Sequence, residues 1–106
     1  MRNLVIKSDA NGDYPTWCRV ASDFINSRSL AANTVEASTV PALAGKVFFG
    51  ATGNFYALNN GTAAVPGDVT DGSASELNPA CWMVAPGDII SLIAPAACVV
   101  TLAYYR

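Results

Sequence analysis

From Thr34 onward the chain runs as short apolar segments broken by Gly, Pro, Asn and Asp, the pattern of β-strands joined by turns. Helical periodicity is weak almost everywhere. The pattern predicts strands at residues 34–40, 46–51, 54–58, 80–84, 88–94 and 97–105, preceded by 4–7 and 16–21. About eight short strands in a chain this size read as an all-β, single-domain antiparallel β-sandwich, jelly-roll-like, with an irregular N-terminal arm. The expected division is an arm or peripheral segment over 1–33 and a sandwich core over 34–106.

The turn residues support these breaks. Thr52-Gly53-Asn54 separates Val47-Phe48-Phe49 from Phe55-Tyr56-Ala57-Leu58, and its glycine can take φ > 0 between two β runs, so a hairpin is expected there. Asn59-Asn60-Gly61 ends the second of those runs. Ala85-Pro86-Gly87-Asp88 places Pro and Gly as a type II turn requires, and Ala94-Pro95-Ala96 reverses the chain between the last two strands.

Alternation along 98–105 puts Cys98, Val100, Leu102 and Tyr104 on one face and Val99, Thr101, Ala103 and Tyr105 on the other. Neither face is strongly polar, so both should be covered: one by the opposite sheet, the other by a loop, another subunit or a partner. Nothing from Val47 to Gly67 carries a charge. A small lone domain rarely covers so much apolar surface, and self-association, as a dimer or trimer, or docking is expected.

The early segment differs. Residues 8–15 are turn-rich, and 22–33 mix polar and small side chains, with a weak helical option over 23–30. Such an arm either lies over a neighbouring subunit or pads an edge of its own sandwich.

Composition narrows the chemistry. The chain has 106 residues, 52% hydrophobic and 13% charged, with a net charge of -2. One core fits; the basic footprint for nucleic acid is missing. There is no histidine, which removes Ser-His-Asp and Cys-His catalysis and the common zinc sites. The charge-free stretch 89–105 falls short of the ~20 residues that span a bilayer and is broken by Pro95, so it reads as two buried strands with no membrane role. Residues 1–9 lack the apolar core of a signal peptide, and no export is expected.

Candidate chemical groups are few. The cysteines at 18, 81 and 98 form no CxxC motif; Cys81 and Cys98, in apolar settings, read as buried thiols, against a Cys81 to Cys98 bridge or an intermolecular bond through Cys18. Cys18 beside Arg19 lacks a base. Asp9, Asn11 and Asp13 only begin a calcium-loop pattern, and Asp68, Asp71 and Glu76 form a second acidic loop; both read as solvated turns. No catalytic, cofactor or metal site is expected. Trp82 looks like core, while Tyr14 and Trp17 are free to present an aromatic face to a glycan.

The segment from Lys46 to Arg106 carries Val47-Phe48-Phe49-Gly50-Ala51-Thr52-Gly53-Asn54-Phe55-Tyr56-Ala57, Gly61-Thr62-Ala63-Ala64-Val65-Pro66, Asp68-Val69-Thr70-Asp71-Gly72, Ser75-Glu76-Leu77-Asn78-Pro79, Ile90-Ser91-Leu92-Ile93-Ala94-Pro95 and Val100-Thr101-Leu102-Ala103-Tyr104-Tyr105. In these phrases it resembles small β-sandwich proteins encoded by tailed bacteriophages and prophages. The resemblance implies a virion structural protein. The expected role is capsid decoration: made in the host cytoplasm, located on the capsid surface, and bound to the outer face of the major capsid protein. The alternative is a glycan- or receptor-binding module of a tail or head fibre. Contacts are expected from Asp13, Tyr14, Pro15 and Trp17 in the arm, and from Leu77 and Asn78 in the loop 68–78.

Overall fold

The structure, a computed structural model, describes residues 1–4 and 19–106. Period-two alternation over most of the described chain gives eight strands and no helix: β1 Ile25–Leu30, β2 Glu36–Thr39, β3 Lys46–Ala51, β4 Tyr56–Asn59, β5 Glu76–Leu77, β6 Cys81–Met83, β7 Ile89–Ile93 and β8 Cys98–Tyr105. They form two antiparallel sheets. Sheet I has the order β1-β8-β3-β6 and sheet II the order β2-β7-β4-β5.

This order has a simple origin. The chain doubles back at the β4–β5 loop, so that β4 pairs with β5, β3 with β6, β2 with β7 and β1 with β8. Rolling the doubled ribbon sends successive pairs to alternate sheets and brings β3 beside β8 and β4 beside β7. That is the jelly roll, and the sandwich expectation holds.

The inward faces supply the core. Val47 from β3, Ile90 and Leu92 from β7, and Val100, Leu102 and Tyr104 from β8 are essentially inaccessible to solvent. Each fully buried aliphatic side chain here contributes about 1.5–3 kcal/mol. Tyr104 brings a hydroxyl into this core, 3.5 Å from Ser38 Oγ, and burial pushes its pKa up, with the Ser38 contact opposing. On the open side, Arg28 of β1 bonds Glu36 at 3.0 Å and the Ala37 carbonyl at 2.7 Å, which ties the edge of sheet I to the edge of sheet II.

Several expectations change. The turn at Thr52-Gly53-Asn54 is no hairpin, because β3 lies in sheet I and β4 in sheet II. Thr52 stays with β8: its N–H donates to the Val99 carbonyl and its Oγ1 accepts the Val99 N–H, both at 3.0 Å, before the chain crosses the sandwich. Phe49 and Phe55 meet across the two layers, at 5.8 Å between ring centroids.

The weak helical option at 23–30 is replaced by β1, so the sandwich begins at Ile25 and not at Thr34. Pairing with β8 overrides the poor strand pattern of Ile-Asn-Ser-Arg-Ser-Leu. β5, expected as loop, is a two-residue strand held by Tyr56 and Ala57. Of the two early strands, residues 5–7 and 16–18 lie outside the described residues, while Leu4 and residues 19–21 are not strand.

Candidate functional site

Sheet I's outer face is partly roofed by the chain itself. Ala103 and Tyr105 point away from the core, yet both are buried. The Arg19 guanidinium lies 4.4 Å from the Phe48 ring centre and 5.4 Å from that of Tyr105, and also donates to the Tyr105 hydroxyl. The hydroxyl in turn donates to the Val20 carbonyl at 2.5 Å. Arginine stacked on two rings and held by a hydrogen bond covers apolar surface that another chain would otherwise have to cover. Residues 19 and 20 therefore pad their own sandwich.

At either edge of this roof, on β1 and on β6, the face is open. The registers align Ile25, Ala103, Phe48 and Cys81 in one row across all four strands, and set Lys46 between Tyr105 and Met83 in the next. Ile25 is 58% exposed and Met83 77%, and Cys81 is also exposed. Cys81 thus departs from the expected buried thiol: β6 is short and edge-lying, and alternation sends Cys81 and Met83 outward while Trp82 packs inward against Phe49, 5.0 Å between centroids. Partial burial pushes the Cys81 thiol up, outweighing nearby Arg19 and Lys46, so it stays protonated near neutral pH. Cys98 is buried; both thiols are free, which removes a Cys81 to Cys98 bridge. Cys18 lies outside the described residues.

Sheet II is roofed differently. The loop 60–75 folds over it, with the Ala63 N–H donating to Ser91 Oγ at 2.9 Å and the Ala64 N–H to Ser75 Oγ at 3.1 Å. An apolar groove of about 410 Å³ remains beside β2, lined by Val35, Ala37, Thr62, Ile89 and Ser91. Asp88 knits the two turns at this end: it accepts the Ala85 N–H and the side-chain amides of Asn59 and Asn60. Those bonds hold its carboxyl below the usual range, with the Ala85 bond contributing most.

A second groove, about 460 Å³, lies where the β3–β4 crossing meets the β5–β6 connection and is lined by Phe49, Thr52, Asn54, Phe55, Asn78 and Pro79. Asn78 sits at φ 47° and is built into the frame. Its Oδ1 accepts the Phe55 N–H, its N–H donates to the Phe55 carbonyl, and its Nδ2 donates to Asn54 Oδ1, each at 2.9 Å.

Of the contact residues expected from the sequence, Asp13, Tyr14, Pro15 and Trp17 lie outside the described residues. Leu77 is half-exposed on β5, and Asn78, its neighbour, organises the groove floor. Ile25 and Met83 were missed, although period-two alternation places Met83 on the same side as Cys81.

In the acidic loop, Asp71 accepts from the Ser73 N–H and hydroxyl, which lowers its pKa and closes a solvated turn. Among the described residues no group of three or more His, Cys, Asp or Glu is placed to hold a metal ion, and no helix is long and apolar enough to cross a membrane. The chain matches no protein-family model, no curated protein and no solved structure.

Proposed function

We propose that this chain is a virion structural protein, a capsid decoration protein that docks on the outer surface of the major capsid protein lattice and stabilises the head. The observation that carries it is the set of outward apolar side chains left exposed at the two edges of sheet I, Ile25 on β1 and Cys81 and Met83 on β6, beside Lys46. A flat pleated face of this kind suits a flat repeating partner, and many identical weak contacts on a lattice add by multivalency. The resemblance of residues 46–106 to proteins encoded by tailed phages is what supports reading that lattice as a capsid. Binding only the assembled shell stabilises it by mass action.

Quantitative mass spectrometry of purified particles from the encoding phage or prophage tests this. Hundreds of copies per particle, with loss of thermal stability on stripping and recovery on adding the protein back, are expected. Absence from particles, or unchanged stability after stripping, overturns it.

A second reading, a glycan- or receptor-binding module of a fibre, is favoured by the groove of Phe49, Thr52, Asn54 and Asn78, which sets amide groups beside an aromatic ring. It predicts a few dozen copies or fewer and saccharide-dependent shifts of the Asn54 and Asn78 side-chain resonances.

A further inference from the structure

The ladder between β1 and β8 determines which way each peptide of β1 faces. The Phe24 carbonyl accepts the Tyr104 N–H at 2.9 Å, and the register continues as Ile25 opposite Ala103 and Asn26 opposite Leu102. Antiparallel pairs alternate between bonded and non-bonded, so Asn26, Arg28 and Leu30 turn their N–H and C=O groups toward β8. Ile25, Ser27 and Ser29 turn theirs outward. β1 ends the sheet, and among the described residues these outward groups meet no protein partner.

The other sheet edges are short or blocked. β5 has two residues and β6 three, and the Ala37 carbonyl of β2 is taken by Arg28. β1 has six residues and none of the usual guards: no proline, no lysine and no bulge. Its one charge, Arg28, is committed to Glu36 and Ala37 on the second sheet. Ile25, Ser27 and Ser29 are all exposed, and among the described residues no strand pairs with their side of β1.

We propose that β1 pairs antiparallel with β1 of a second copy, about a two-fold axis through Ser27, joining two copies of sheet I into one continuous sheet. The register follows from hydrogen bonding and charge. Centring on Ser27 sets Ile25 against Ser29 of the second copy, Ser27 against itself and Ser29 against Ile25, so every outward peptide group of β1 is used. Asn26 then faces Arg28. A shift that centres on Arg28 would place two guanidiniums directly opposite, and a shift the other way leaves Ser29 beyond the end of the partner strand. The contact is isologous and closes at two copies. It stands independently of the capsid reading.

Sedimentation and light scattering of the full chain, from low micromolar to near-millimolar, test the pairing, with amide exchange read at both extremes. A monomer–dimer equilibrium is expected, with Ile25, Ser27 and Ser29 amides slowed as dimer forms. Ser27→Pro removes the central outward N–H at an edge position where proline is tolerated, and should weaken dimerisation at least about tenfold with an unchanged far-UV spectrum. Ser27→Lys and Ser27→Asp test the axis itself: each alone should be monomeric, and an equimolar mixture should dimerise. A strict monomer at all concentrations, slow exchange at these amides that ignores concentration, wild-type dimerisation of Ser27→Pro, or a Lys/Asp mixture that stays monomeric would each overturn the proposal.

Discussion

Ser91→Ala isolates the bond that holds the loop over sheet II. Ser91 sits in the middle of β7, 3% exposed, and its Oγ accepts the N–H of Ala63, which is 1% exposed. Alanine fits the space but leaves that N–H buried with no acceptor. Leaving a buried donor unsatisfied costs about 1–3 kcal/mol, more than the ~1 kcal/mol net worth of an ordinary hydrogen bond. The expected loss is about 1–2 kcal/mol, which lowers Tm by about 4–8 °C per kcal/mol in a domain near this size. Ser75→Ala is the internal control: it removes the acceptor of the Ala64 N–H at 3.1 Å, but Ala64 is exposed and water can replace the serine. Its loss should stay below about 0.5 kcal/mol. Urea unfolding gives both numbers, and amide exchange at Ala63 locates the effect. If Ser91→Ala costs no more than Ser75→Ala and Ala63 exchange is unchanged, the loop does not depend on this bond and the reasoning fails.

Three further outcomes follow from local geometry. Tyr105→Phe keeps the buried ring but strips the hydroxyl shared by Arg19 and the Val20 carbonyl; a loss of about 1 kcal/mol is expected in urea titration, with faster amide exchange confined to residues 19–24. Gly87→Ala forces a Cβ onto a residue at φ +88° in the turn after Pro86, and should cost about 1–2 kcal/mol by chemical denaturation without altering the core. Asp88 has its folded pKa depressed, so its contribution is present above the unfolded carboxylate value of about 3.9 and is lost as pH falls through the lower folded value. The acid limb of the Tm against pH curve should therefore flatten in Asp88→Asn, and an unchanged limb would assign acid sensitivity elsewhere.

Local structure was legible where the chain states its own geometry. β3 has the expected bounds, Lys46–Ala51, and β8 alternates as its side chains require. Pro86-Gly87 forms the expected turn, with the Asp88 N–H donating to the Ala85 carbonyl at 3.1 Å. Topology was less legible. A glycine between two β runs says that the chain turns, and nothing in Thr52-Gly53-Asn54 says whether the next strand pairs alongside or crosses to the facing sheet. That choice is made by β8, the last strand, which takes the place next to β3. β1 escaped notice for a related reason: four of its six residues are polar, and only pairing with β8 makes them a strand. For the candidate surface, the apolar setting of Cys81 suggested a core, but the period of two along Cys81-Trp82-Met83 carries the opposite information.

The surface left open is smaller than a count of apolar residues suggests, and its position matters more than its size. Arg19 and Val20 roof the end of β8 at Ala103 and Tyr105, and loop 60–75 roofs the middle of β7, so neither sheet has to be covered whole by another molecule. What stays uncovered on sheet I is the two ends of the row that runs from Ile25 on β1 to Cys81 on β6, together with Met83 on the same strand as Cys81. Ile25 belongs both to that row and to the free edge of β1. Pairing two copies through β1 would therefore lay the two rows on one continuous sheet, with an Ile25 on each side of the axis. A docking surface present twice on one rigid body binds a repeating lattice far more tightly than either half, because the second contact forms at high effective concentration. The two proposals can fail separately. Ser27→Pro should reduce retention on particles together with dimerisation, whereas Met83→Lys should reduce retention and leave the dimer intact.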